Sequence, residues 1–248
     1  MTGGVVAIVA HPDDESLIAG GTLALAARAG AQTGVVSLTR GEYGPIADGA
    51  AATPETLGDV REQELRAAAN ALGAGWSACL RHPDGELPWV DHEAAAAELA
   101  ALLEPHAPVA VLTFGEDGLY GHPDHAAARE IALAALQRLG RGVDVYEAAW
   151  PYGVVTRLAA AAAQRGLPVG LWGLEPEAFG CERAATLVVD VRPVLDRKLA
   201  ALRAHRTQVG PDHLLGALPA DLAAEFLAQE PWAGPPGGGV LEELAAGG

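Results

Sequence analysis

VVAIVAHPDDES, residues 5–16, runs six apolar residues straight into one imidazole and three carboxylates. The apolar part is rich in β-branched side chains and does not alternate, the pattern of a strand buried on both faces. Similar runs recur at 34–39, 109–114, 143–150 and 185–191. Ala- and Leu-rich segments with helical spacing lie between them, near 16–29, 58–72, 91–104, 123–139, 153–165 and 193–206. This alternation predicts an α/β fold: a single Rossmann-like domain with a mostly parallel sheet and helices on both faces. In open sheets of this kind ligands gather beyond the carboxyl ends of the strands. The cluster at 11–15 therefore stands where a site belongs.

The remaining composition narrows the possibilities. A length of 248 residues, half of them apolar, suits one domain over 1–230, followed by a Pro/Gly-rich tail over 231–248 too poor in order-forming residues for regular structure. A formal net charge of −16 repels phosphate backbones and anionic headgroups, so neither nucleic acid nor a membrane is expected as a partner. The first apolar run is too short for a signal segment or a span, and Cys79 and Cys181 form no CxxC pair. These features predict a soluble cytoplasmic protein with a small-molecule partner, possible as a homo-oligomer. Lys198 is the sole lysine among sixteen basic residues, a usage typical of GC-rich bacterial genomes.

A second polar cluster, YGHPDH at 120–125, follows the 109–114 strand and opens the next helix, so it faces the same crevice as the first. Mixed imidazole and carboxylate ligands from two loops describe a catalytic zinc site whose fourth position is left for water. His122 and His125 stand at i and i+3, and only one of them need bind the ion. Of the adjacent Asp13 and Asp14, one can share the metal with His11 while the other stays free as a base for hydrolysis. The plainer reading makes each cluster a helix cap, but a cap uses one aspartate and leaves the rest of His-x-Asp-Asp unexplained. RHPDG at 81–85 lacks the second acid and reads as a turn, and 41–57 reads as a long functional loop. A non-haem iron oxygenase could use the same ligand types, although such triads sit in all-β folds. A two-metal phosphoesterase needs more ligands than these clusters supply.

AHPDDE at 10–15, TRGE at 39–42, the R-x-x-E pattern at Arg61 and Glu64, GHPDH at 121–125 and KLAALRAHRTQ at 198–208 together resemble the PIG-L-like, or LmbE-like, zinc-dependent de-N-acetylases, in the bacterial branch related to mycothiol-pathway deacetylases. The resemblance implies that His11, Asp14 and His125 hold one zinc ion, with Fe or Co fitting the same ligands, and that Asp13 is the general base. It implies that His122 stabilises the oxyanion, that Tyr120 helps polarise the carbonyl and that Asp124 hydrogen-bonds an imidazole. Arg40, with Glu42 beside it, would contact the sugar. The implied reaction removes an acetyl group from an N-acetylated amino sugar or a related small glycoside; a thiol-sugar amide is the alternative substrate. Arg61, Glu64 and the stretch from Lys198 to Gln208 lie on predicted helices and read as packing or capping features, and His205 as a satisfied core histidine. His92, His106 and His213 receive no role.

Overall fold

The computed structural model describes residues 3–235, 237 and 239–243. Its strands are β1 (Gly4–Val9), β2 (Gln32–Thr39), β3 (Trp76–His82), β4 (Pro108–Thr113), β5 (Asp144–Ala148), β6 (Leu187–Asp190) and β7 (Gln229–Ala233). They form one sheet in the order β3-β2-β1-β4-β5-β7-β6. β1 to β5 pair in parallel, while β7 runs antiparallel to both β5 and β6 at the far edge. Every residue of β1 is buried, which accounts for its unbroken apolar run.

The helices are α1 (Asp14–Ile18), α2 (Gly20–Arg28), α3 (Leu57–Leu72), α4 (His92–Leu103), a short turn α5 (Gly118–Gly121), α6 (Pro123–Leu139), α7 (Val154–Gln164), α8 (Leu195–Ala204) and α9 (Ala220–Phe226). α2, α3 and α8 pack together, and α4 packs on α6. The chain steps from β1 to β2 in one direction across the sheet and from β4 to β5 in the other, so right-handed crossovers place these two groups on opposite faces. That reversal between β1 and β4 opens a crevice at their carboxyl ends, the expected place for a ligand. Gly73 and Gly140 take left-handed φ values of 79° and 63° and end α3 and α6, which fixes where both helices stop.

Three expectations need correction. The helix expected over 16–29 is broken at Ala19, because the start of α2 is held by a buried carboxylate: Gly21 N and Thr22 N each donate to Glu230 at 2.7 Å. Strand β3 was not foreseen, since WSACLRH has no β-branched residue and forms a partly exposed edge. The expected irregular tail begins inside β7, where Trp232 is fully buried and Pro231 opposes Val188. Tertiary contact with β5 and β6 overrides the local Pro/Gly bias there. Residues 236, 238 and 244–248 of that tail lie outside the described residues. A mainly parallel sheet is also not the all-β frame of the oxygenase alternative.

Candidate active site

His11 stands two residues beyond the end of β1 at Val9, and the chain turns sharply after it. Asp13 adopts φ 125° and ψ −30°, so that Asp14 begins α1. Asp13 occupies the N-cap position yet its side chain accepts no capping hydrogen bond, so the plain capping reading does not describe it. Its carboxylate instead faces a cavity of about 350 Å³ at the crevice, together with His11, Asp14, Tyr43, Arg61, Asp84, Tyr120 and His122.

Behind β4, the α5 turn carries Tyr120, and α6 begins at Pro123 and presents His125 from its first turn. Nδ1 of His125 lies 3.0 Å from the Gly118 carbonyl, which can only accept, so this nitrogen carries the proton. The other nitrogen, Nε2, is buried, has no hydrogen-bond partner and lies 3.3 Å from Oδ1 of Asp14. Phe114 stacks on the ring at a centroid distance of 4.0 Å and holds it in place. His11 offers Nδ1 at 3.3 Å from Oδ2 of Asp14, and its Nε2 faces Asp84 at 3.0 Å and Asp124 at 3.3 Å. Carboxylates behind an imidazole in this way fix its tautomer and strengthen it as a ligand.

One donor atom from each of His11, Asp14 and His125 lies within 4.8 Å of the others. Two imidazoles and a carboxylate, with a bare buried nitrogen among them, fit a divalent transition metal, zinc included. His11, Asp84 and Asp124 meet the same distance condition. There, however, Asp124 already accepts from Gly85 N at 2.8 Å and Leu87 N at 3.2 Å, so it serves as a support behind His11.

The charges follow from these contacts. Burial disfavours the charged form of Asp14, but His125 and His11 outweigh it and hold the carboxyl well below the usual range. Burial also opposes protonation of His11, which Asp124, Asp14 and Asp84 overcome, raising it well above the ordinary imidazole value. Burial pushes Asp13 up to about 7 despite the opposing Arg61 guanidinium. His122 falls to about 4, first through burial and then through His125 and His11. Its Nδ1 accepts from Asp124 N at 3.2 Å, so the neutral ring carries its proton on Nε2. Burial and the nearby Asp14 and Asp13 raise the Tyr120 phenol, which stays a neutral donor.

Two expected residues are not brought to the cavity. Arg40 pairs with Asp59 of α3 at 2.5 Å, and Glu42 accepts from Asp84 N at 3.2 Å behind the wall. The basic group that does reach it is Arg61, whose Nη1 donates to Gly41 O and whose Nη2 donates to Pro12 O and lies 3.4 Å from Oδ1 of Asp13. The turn reading of RHPDG also misses Asp84, which joins His11. Its signal was visible as a third His-Pro-Asp run, at 82–84.

Residues 6–136 match the family model described as PIG-L, GlcNAc-PI de-N-acetylase. A protein of Rhodococcus opacus (strain B4) named 1D-myo-inositol 2-acetamido-2-deoxy-alpha-D-glucopyranoside deacetylase is 36% identical, covering 89% of this chain and 87% of its own. Among solved structures, N,N'-diacetylchitobiose deacetylase from Pyrococcus horikoshii aligns with a TM-score of 0.61 at 20% identity, over 94% of this chain and 84% of that one. A 4-carboxy-2-hydroxymuconate hydratase from Pseudomonas putida KT2440 aligns with a TM-score of 0.62 at 24% identity, over 87% and 81%. At these identities the two structures share the fold, and since one is named a hydratase, fold alone does not select the reaction.

Proposed function

The chain belongs to the PIG-L family of GlcNAc-PI de-N-acetylases, and from that membership we propose that it hydrolyses the acetamide of an N-acetylglucosamine unit joined to a small polar aglycone such as inositol. The observation that carries this reading is the Asp13 carboxylate. It is spent on no helix cap and faces the cavity beside the His11, Asp14 and His125 set.

His11, Asp14 and His125 would hold one divalent ion, zinc in our reading. When bound, it supplies Lewis acidity to the amide carbonyl and acidifies the attacking water. Asp13 takes the proton of that water as its oxygen adds to the carbonyl carbon. With its carboxyl near 7, Asp13 is matched to this task at neutral pH. Nε2–H of the neutral His122 and the hydroxyl of Tyr120 donate to the developing oxyanion. Asp13 then returns the proton to the amine nitrogen, the C–N bond breaks, and acetate and the free amine leave. Tyr43, 77% exposed at the cavity mouth, stands where an aglycone would pass.

Among the described residues no helix is long and apolar enough to cross a membrane. A small substrate in the cytoplasm is our reading, in keeping with a net charge of −16 that repels anionic headgroups. The test is acetate release from a panel containing N-acetylglucosaminyl-inositol, N,N'-diacetylchitobiose, free N-acetylglucosamine and N-acetylated thiol glycosides, with zinc-loaded protein. Equimolar acetate and free amine from the inositol glycoside is expected. Turnover of none of the sugars would overturn the reading.

A further inference from the structure

Two motifs that the mechanism does not use converge behind Asp13. The positive φ of Asp13 is a conformation that a non-glycine residue keeps only where its surroundings impose it. Its backbone N–H donates to Oε2 of Glu15 at 3.0 Å. An acid in the first helical turn that reaches back in this way is an ordinary helix-start device, and it requires no further partner. Here the second oxygen, Oε1, is also engaged: Ser16 Oγ donates to it at 2.5 Å, and Nε2 of His205 lies 2.8 Å away. Both Glu15 and His205 are fully buried. A buried ionic pair is an expensive way to gain stability compared with apolar packing.

The same turn is held from its other side. Arg61 donates to Pro12 O at 2.7 Å, and one turn further along α3 Glu64 accepts from Thr207 N at 2.9 Å and Thr207 Oγ1 at 2.5 Å. The R-x-x-E pattern and the H-R-T-Q stretch thus brace one another around residues 12–15.

We infer that Glu15 and His205 are positioning residues for the reaction: Glu15 fixes the Asp13 backbone so that its carboxylate faces the attacking water, and His205 fixes Glu15. This rests on the reading of Asp13 as the base. A misplaced base loses rate while leaving substrate and metal binding intact.

A kinetic double-mutant cycle on the zinc-loaded protein tests it. Glu15→Gln and His205→Leu are each expected to lower kcat about 10- to 100-fold, the usual size of an outer-partner effect, with KM and bound metal unchanged. His205→Gln keeps an N–H at similar reach and should recover most of the loss. In the Asp13→Asn background neither substitution should lower kcat further. Full kcat in the single variants, an equal loss in both backgrounds, or a parallel change in KM or metal content would overturn the dyad. Should His205→Leu not fold, the nearly isosteric Glu15→Gln carries the cycle alone. Equal kcat for wild type and Asp13→Asn would instead overturn the base assignment itself, so the two failures are distinguishable. Amide hydrogen exchange at Asp13 gives a readout without substrate: slow in wild type and faster in Glu15→Gln.

Discussion

The buried Nε2 of His125 and Oδ1 of Asp14 face each other at 3.3 Å at the cavity wall, and the opposite ring nitrogen carries a proton toward the Gly118 carbonyl. A ring nitrogen and a carboxylate oxygen this close need a proton or a cation between them, and a divalent ion shared with His11 meets that need. The fold supplies this arrangement by bringing the loop behind β1 and the start of α6 to one crevice.

His125→Ala should therefore lose bound metal and turnover together. Zinc at a hundredfold its Kd is expected to stabilise the wild type by about 2.7 kcal/mol and to leave this variant unchanged. Calorimetric melting with and without zinc checks it; a metal-free variant with full activity would contradict the ligand assignment.

Asp13→Asn should keep the metal and lose about 10² to 10⁴ in kcat. The base works deprotonated, so with its carboxyl near 7 the wild-type rate should rise with pH through that region and level off above it. The rise should vanish in the variant. An unchanged pH–rate profile in Asp13→Asn would count against the assignment.

Much of this was legible in the sequence. The unbroken apolar runs gave the parallel strands because burial on both faces leaves no polar positions, and His-Pro-Asp runs behind two of them gave both halves of the site. Asp84 and Arg61 read from the sequence as a turn and a helix-packing residue, although a third His-Pro-Asp run marked the first, because the contacts that make them site groups reach across more than forty residues, from Asp84 to His11 and from Arg61 to Pro12. β3 and β7 were hidden for a related reason: they are strands through their neighbours in the sheet, and their own residues do not favour extension.

Arg40→Ala separates the family expectation from the geometry. Arg40 pairs with Asp59, whose side chain is 70% exposed, a contact worth about 0–1 kcal/mol. KM and stability should both be close to wild type. A large rise in KM would show that Arg40 swings to the substrate.

His213 is buried, and Leu215 N donates to its Nδ1 at 3.2 Å, which requires a neutral ring. Burial lowers it from 6.5 to about 4. Between these values the unfolded chain binds a proton that the folded chain does not, so stability is fully present above 6.5 and is lost as pH falls toward 4. The loss amounts to a few kcal/mol, at about 1.4 kcal/mol per pKa unit. His213→Asn, whose carbonyl can accept the same bond, should flatten this dependence in denaturant titrations across that range.

Lys198 and Glu230 form a fully buried pair at 2.6 Å that ties α8 to β7 and to the start of α2. Lys198→Met leaves an unpaired buried carboxylate and should cost about 3–5 kcal/mol. Adding Glu230→Gln should cost less than the sum of the two single changes in urea unfolding. Additive losses would mean that the pair is not coupled.

The most direct measurement is anomalous scattering at the zinc edge from zinc-loaded crystals. One strong peak per chain is predicted, at about 2.0–2.2 Å from a nitrogen of His11, an oxygen of Asp14 and Nε2 of His125, with the Asp13 carboxylate outside the coordination sphere. A peak seated instead between His11, Asp84 and Asp124, or no peak in the crevice at all, would contradict it.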